Sequence, residues 1–536
     1  FPDLKLHATL GYDYAQGKGS VYVPAEAAQN YTTSGLDYSY GPQKKENRLL
    51  TLYANYNKLV ESIKSSFDVT AGYDYQYWKS TTPLYSEMNT LGEIQKTSKA
   101  SDERHVLLSY YGRLNYSFNS RYMLTTTVRR DATSRFAKNV RWGTFPSVAL
   151  GWRVTEESFL KDNKVISTLK VRASYGVTGQ QDGIGNYNYL PIYTISQSGA
   201  GSLIGGTPTP TYRPKAYVPN LKWETTRTIN AGVDFSFFNS RLSGSIDFYV
   251  ANTSDLLMSR TVPIMNGYSS IMDNVGKTRN TGVELNLNSI NVSTKDFRWN
   301  SNFNFSLNRD KIVELRGDGK DDIANKWFIG EPLRVHYDYN VAGIFQENET
   351  FEMNGHTISW DPESKKYLNE DGKEYQKGAK PGYAKMEDAD GDGTITAKDK
   401  KIIGSKLPSF TMSLGNTITY KDFTLSFLFN GTFGVTKIMR DQNIERWGQK
   451  YNYLANMGYW TAEHPSTEYT SAGYIPYDKH EFYKKMNYVQ LKNITLGYNL
   501  PKTILNPIGI AALNINASIN NVCTFSNVKN AMNFDG

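Results

Sequence analysis

Cysteine is almost absent from this sequence. Cys523 is the only one in 536 residues, so no disulfide can form within the chain. Histidine is scarce too. The six, His7, His105, His336, His356, His464 and His480, include no H-E-x-x-H and no other short-spaced metal pair. A G-x-S-x-G elbow is missing, and Gly183-Ile184-Gly185 lacks the strand-to-helix setting of a nucleotide loop. No run of about 18 apolar residues exists, which excludes a helical membrane protein. The charge excess is small and scattered, 60 Lys+Arg against 52 Asp+Glu, so nucleic acid is not an expected partner. No basic segment leading into an apolar stretch and a cleavage site opens the chain. Residue 1 falls inside a strand pattern, 1–13, and 527–536 is polar without a closing element. The expectation is an internal portion of a longer precursor.

What is present is aromatic and alternating. Phe, Trp and Tyr make up 13% of the chain, with 39 Tyr, 24 Phe and 9 Trp, which excludes disorder. Leu4, Leu6, Ala8, Leu10 and Tyr12 alternate with Lys5, His7, Thr9, Gly11 and Asp13. Leu242, Gly244, Ile246, Phe248 and Val250 share one parity, as do Phe297, Trp299, Phe303, Phe305 and Leu307, and Leu513, Ile515, Ala517 and Ile519. Successive strand side chains point to opposite faces, so each segment has one apolar and one polar face. Similar segments recur near 49–57, 66–75, 106–118, 121–129, 146–154, 168–175, 227–237, 281–289, 410–419, 423–430 and 488–498. About fifteen strands are therefore predicted, many longer than the usual ~5–6 residues.

The connections are of two kinds. Asn119-Ser120, Asn239-Ser240 and Lys421-Asp422 are tight; 178–226, 346–407 and 432–487 are long. Short turns at one end and long loops at the other are the pattern of an outer-membrane barrel. The polar parity carries Asn, Ser, Thr and Gly with Asp234, Asp247, Glu284 and Arg298, which suits a wet interior better than a catalytic cleft. Many aromatics sit near segment ends, where interfacial girdles form. The mean hydropathy of −0.54 fits such a barrel, because alternating faces average to a polar value.

Five stretches, in order, resemble the TonB-dependent outer-membrane transporters of the SusC/RagA type. They are Arg129-Arg130-Asp131-Ala132-Thr133-Ser134-Arg135-Phe136 with Arg141-Trp142-Gly143-Thr144-Phe145-Pro146-Ser147 and Gly151-Trp152-Arg153; Leu221-Lys222-Trp223-Glu224 with Asn230-Ala231-Gly232-Val233-Asp234; Asn274-Val275-Gly276 with Asn280-Thr281-Gly282-Val283-Glu284; Asp388-Ala389-Asp390-Gly391-Asp392-Gly393 with Ile402-Ile403-Gly404; and Gln490 to Tyr498 with Pro501. The resemblance implies an all-β, transmembrane antiparallel barrel of 22 strands around a plug, incomplete in residues 1–536, in the outer membrane of a Gram-negative, Bacteroidetes-like cell. It implies import of glycans, oligosaccharides or peptides, a SusD-like surface lipoprotein as lid, and TonB–ExbB–ExbD as energy source. No catalysis is expected. Plug, TonB-contacting segment and the first and last barrel strands are expected outside this chain.

Residue by residue, Pro146 is expected at a strand start, where no ladder donor is needed. Arg129, Arg130, Asp131, Arg135 and Arg141 are expected at an extracellular rim, as a register-setting ionic network or, alternatively, a contact surface for substrate or lid. Cys523 is expected to be small and buried rather than nucleophilic. Tyr187, Tyr189, Tyr193, Trp327, Trp360, Trp447, Tyr451, Tyr453 and Trp460 lie in long loops, where rings either pack or stack on cargo.

Asp388, Asp390, Asp392, Thr394 and Asp399 have calcium-loop spacing, with Gly393 for the turn, the Thr394 carbonyl at position seven, Ile395 as inward anchor, and Asp in place of Glu at the last position. The expectation is a structural calcium in an extracellular insert, 346–407; an ion-free acidic turn is the alternative. A secreted, soluble, calcium-stabilised β-protein that binds or cleaves polysaccharide is the competing reading of the whole chain.

Overall fold

The computed structural model describes all residues except 1, 28–33, 161–162, 196–200, 264, 266–267, 440–457, 473 and 529–536. Fifteen strands pair in one antiparallel sheet in sequence order. They are β1 (Leu4–Val23), β2 (Leu36–Val60), β3 (Ser65–Thr82), β4 (Ser101–Phe118), β5 (Tyr122–Thr133), β6 (Trp142–Arg153), β7 (Ile166–Gln180), β8 (Glu224–Phe237), β9 (Leu242–Ser254), β10 (Lys277–Ser293), β11 (Phe297–Glu314), β12 (Phe410–Tyr420), β13 (Phe423–Ile438), β14 (Tyr483–Asn499) and β15 (Asn514–Ser526). No described helix is long and apolar enough to cross a membrane.

Compact and long connections alternate along much of the chain. At one end lie compact links such as 61–64, 119–121, 238–241 and 421–422, where Lys64, Asn119, Ser120, Asn239 and Lys421 take the left-handed conformation that a tight reversal demands. At the other end lie 83–100, 181–223 and 315–409, which carry small sheets of their own, and the long connection 439–482. Every strand segment expected from alternation is a strand of the main sheet. Most run further than the pattern showed: 49–57 lies in the second half of β2, which begins at Leu36.

The chain divides into two compact units, Phe1–Ser240 with Asp247–Asn280 and Val313–Asp318, and the remainder. In the first, register fixes the faces. Leu10 pairs with Leu50, Leu50 with Tyr75, Tyr75 with Leu108 and Leu108 with Ala132. That face leaves Leu6 78%, Leu10 83%, Leu150 58% and Ile229 59% exposed. In water each such side chain would forgo about 1.5–3 kcal/mol of burial. Hydrocarbon is the solvent in which this face costs nothing.

In the second unit the connection β11–β12 is not the polar loop the sequence suggested. Val335–Asp338 pairs with Lys401–Ser405, Val341–Ile344 with Ala384–Met386, and Thr350–Met353, His356–Asp361 and Lys366–Leu368 form a three-stranded sheet. Tyr339, Phe345, Ile358, Tyr367, Tyr375 and Met386 are its fully buried core. Tyr375 and Tyr367 are satisfied inside it, their hydroxyls donating to the Met386 and Gln346 carbonyls at 2.8 and 2.7 Å.

Candidate functional site

The polar parity of the first unit holds two ionic clusters. On β7, Arg172 donates Nε and Nη2 to Asp234 of β8 (2.9 and 2.8 Å) and reaches Asp247 of β9 at 3.0 Å. On β5, Arg129 donates to Asp131 (2.8 Å), Ser109 of β4 (2.7 Å) and Asp74 of β3 (3.3 Å). Each arginine ties three strands, so charge here fixes register while keeping the wall polar. The second unit uses neutral amides instead. Asn302 donates to Asn288 at 2.6 Å, Asn304 to Ser413 at 3.2 Å, and Asn493 to Asn520 at 2.8 Å. Thr417–Ser426 and Thr495–Ser518 extend the same face.

The motif residues prove to be architecture. Phe136, Phe145, Ile184, Leu221 and Trp223 form a buried cluster, and the Trp223 indole donates to the Arg141 carbonyl at 2.9 Å. A Cβ on Gly143 would lie 2.4 Å from the Phe145 ring, so that glycine admits the ring. Asn274 bonds both backbone groups of Lys222, at 2.8 and 2.9 Å. The first, second and third motifs therefore lock onto one another.

Three placements differ from expectation. Pro146 lies inside β6, opposite Val128; its missing donor is tolerated because pairing with β7 starts only at Ser147. Arg129, Arg130 and Asp131 lie within β5 rather than in a rim loop, because the strand runs on to Thr133. Arg135 does sit in the following loop, held by Asp182 at 3.0 Å and Asn186 at 3.1 Å. Cys523 is half-buried, on a terminal strand of the sheet with one paired neighbour.

Among the loop aromatics, Trp360 packs on Tyr367 with ring centroids 4.9 Å apart, and Trp460 donates to Gln346 at 2.9 Å. Tyr187 accepts the Arg104 N–H at 3.1 Å. Tyr189 and Trp327 are half-buried, and Trp447, Tyr451 and Tyr453 lie outside the described residues. Tyr193 is 71% exposed. Its ribbon partner segment adds Tyr212, 63% exposed, which the sequence reading missed because one tyrosine between threonines and prolines carries no period.

The acidic loop closes on itself. Asp388 and Asp399 are fully buried, and Ile395 points into the core at 5% exposure. Asp388 accepts the N–H groups of Gly391 and Gly393 at 2.8 and 2.9 Å. Asp399 accepts those of Ala389 and Thr396 at 2.8 and 2.7 Å. Thr394 donates its hydroxyl to Asp392 at 2.7 Å, which holds that carboxyl below its usual range. Asp390 is pushed up, first by desolvation and then by the charges of Asp399 and Asp392. One oxygen from each of Asp388, Asp390 and Asp392 falls within 4.8 Å of the others, a hard-donor set that fits a calcium ion. Asp399 is not in that set: its carboxylate is turned onto amides.

Residues 3–522 match the family model described as TonB dependent receptor-like, beta-barrel. The chain is 34% identical over 524 residues to the TonB-dependent receptor SusC of Bacteroides thetaiotaomicron, covering 94% of this chain and 49% of that protein. It is 33% identical over 564 residues to the TonB-dependent receptor P3 of Formosa agariphila, covering 98% of this chain and 52% of the other. It thus spans about half the length of the relatives it matches. In fold it resembles a chain of the RagAB peptide transporter, with a TM-score of 0.78 at 23% identity, over 98% of this chain and 57% of that one.

Proposed function

The chain belongs to the TonB-dependent receptor β-barrel family of the outer membrane, and from that premise we propose that the protein it forms imports glycans, oligosaccharides or peptides. The family is one of receptors and transporters, not of enzymes, which sets aside the secreted polysaccharide-cleaving alternative. The observation that carries the proposal is the split between faces: leucines and aromatics on one, and on the other the Arg172 and Arg129 clusters and an Asn, Ser and Thr lining. A wall that is greasy outside and hydrogen-bonding inside gives a polar solute a path through lipid. Neutral amides and hydroxyls suit sugar hydroxyls and peptide groups, because they donate and accept without binding so tightly that release fails.

A SusD-like surface lipoprotein as lid and TonB–ExbB–ExbD as energy source belong to the same proposal; SusC and the RagAB peptide transporter are the relatives that suggest them. The exposed Tyr193 and Tyr212 are the ring faces offered to cargo. The proposal includes calcium in the Asp388 loop, held by Asp388, Asp390, Asp392 and the Thr394 carbonyl, stiffening an extracellular insert. Deleting the full-length gene should abolish uptake of one class of oligosaccharide or peptide and restore it on complementation; growth unaltered on every such source would refute the import reading.

A further inference from the structure

On the apolar face of the first unit, arginines stand where the strands approach their long loops, and three have no acidic partner among the described residues. Arg130 of β5 is exposed; its ladder partners Tyr110 and Thr144 and its same-face neighbours Val128 and Ala132 are uncharged. Its guanidinium lies 5.2 Å over the Trp142 ring, and that ring stacks on Tyr110 at 6.2 Å. Arg227 of β8 is exposed as well, between Thr225 and Ile229 and opposite Val177. Among the described residues, Arg279 of β10 donates to the neutral Asn252 of β9, at 2.7 Å. At the opposite end Arg121 is held by Glu157 at 2.8 Å, and Lys58 by Asp3 at 2.5 Å. At the loop end Arg48 and Arg104 are likewise paired, with Glu46 and Asp102, which singles out Arg130, Arg227 and Arg279 as the arginines of this face without a carboxylate among the described residues.

An arginine on the lipid-facing surface is tolerated only at the interface, and there it seeks an anion. The planar fork matches phosphate oxygens in a bidentate way, and a ring beneath it holds it flat. We propose that Arg130, Arg227 and Arg279 bind the phosphate groups of lipids in the leaflet on the loop-bearing side, fixing the depth and rotation of the sheet in the bilayer. This rests on the outer-membrane reading but not on import.

The test uses the full-length receptor, purified in detergent and stripped of lipid, with phosphorylated lipid A as probe and the same glycolipid without phosphate as control. Native mass spectrometry reads retention of each. The wild type should prefer the phosphorylated form, and Arg130→Gln and Arg227→Gln should each lower its retention about fivefold. Arg130→Lys should keep most of it, and Lys58→Gln, which removes a cation paired with Asp3, should change nothing. Retention unchanged in the double glutamine variant, equal binding of both lipids, or displacement by millimolar inorganic phosphate alone would overturn the proposal. Uptake by the same variants is scored separately, so loss of lipid retention with import intact still supports it.

Discussion

Arg129 and Arg130 are neighbours in the chain and leave β5 on opposite faces. Arg129 turns to Asp131, Asp74 and Ser109, whereas Arg130 lies over Trp142 with uncharged neighbours. Replacing Arg129 by alanine leaves the buried Asp131 and the half-buried Asp74 without their cation. That should destabilise the folded sheet by about 1–2 kcal/mol, after allowing for the partial exposure of the side chain. Arg130→Ala should cost less than about 0.5 kcal/mol. The heat-induced mobility shift of the purified receptor on gels measures both; equal effects would contradict the assignment of faces.

Gly232 lies opposite Arg172 in the β7–β8 ladder. A Cβ there would sit 2.3 Å from Asp247 Oδ1 and 2.9 Å from Arg172 Nη2. Gly232→Ala should therefore split the Arg172 cluster and lower the melting temperature, whereas Gly112→Ala, whose Cβ meets nothing within 4 Å, should not. If the two variants melt alike, the glycine is not there to admit the ion cluster.

In the Asp388 loop, calcium should protect the insert from protease, with half-effect in the ~10⁻⁴–10⁻³ M range of extracellular sites. Asp390→Asn should weaken that protection without unfolding the apo loop, because Asp390 is exposed. Asp388→Asn should disorder the loop with or without calcium, because Asp388 holds backbone amides. Identical digestion in calcium and in chelator would refute the ion.

His480 is buried against Tyr474, and burial pushes its pKa from 6.5 down to about 4. The unfolded imidazole then binds its proton first as pH falls. Stability linked to His480 is full above pH 6.5 and drains between about 6.5 and 4, at up to about 1.4 kcal/mol per pH unit. Amide protection factors around residues 474–482, corrected for the intrinsic pH dependence of exchange, should fall as pH drops through that window and stay flat above pH 7. In a His480→Phe variant the slope should vanish; an unchanged slope would assign it to other groups.

The sheet was legible because its strands cross a boundary between two solvents, and alternation is the mark of that crossing. The segment 49–57 shows it: Leu50, Leu52, Ala54 and Tyr56 face out. The rest of β2, such as Gln43 to Glu46, is polar on both faces, so its strand character is silent in the sequence. The insert was misread for a different reason. Its strands are three to six residues long, too short to display a period, so the core of Phe345, Tyr367 and Tyr375 stayed hidden. The acidic loop was found from spacing alone. The turning of Asp399 onto the amides of Ala389, Asp390 and Thr396 depends on the short helix Ala397–Asp399 and its Thr396 cap, which a ligand pattern does not encode.

The central claim is that one face of the sheet meets lipid and the other water. Single cysteines placed in turn at positions 123 to 128 of β5, in a Cys523→Ser background and in the full-length receptor in bilayers, can be spin-labelled and probed with oxygen and with a water-soluble nickel chelate. Oxygen accessibility should peak at Leu124, Thr126 and Val128 and fall at Met123, Thr125 and Thr127. A flat profile, or peaks on the odd positions, would contradict the account.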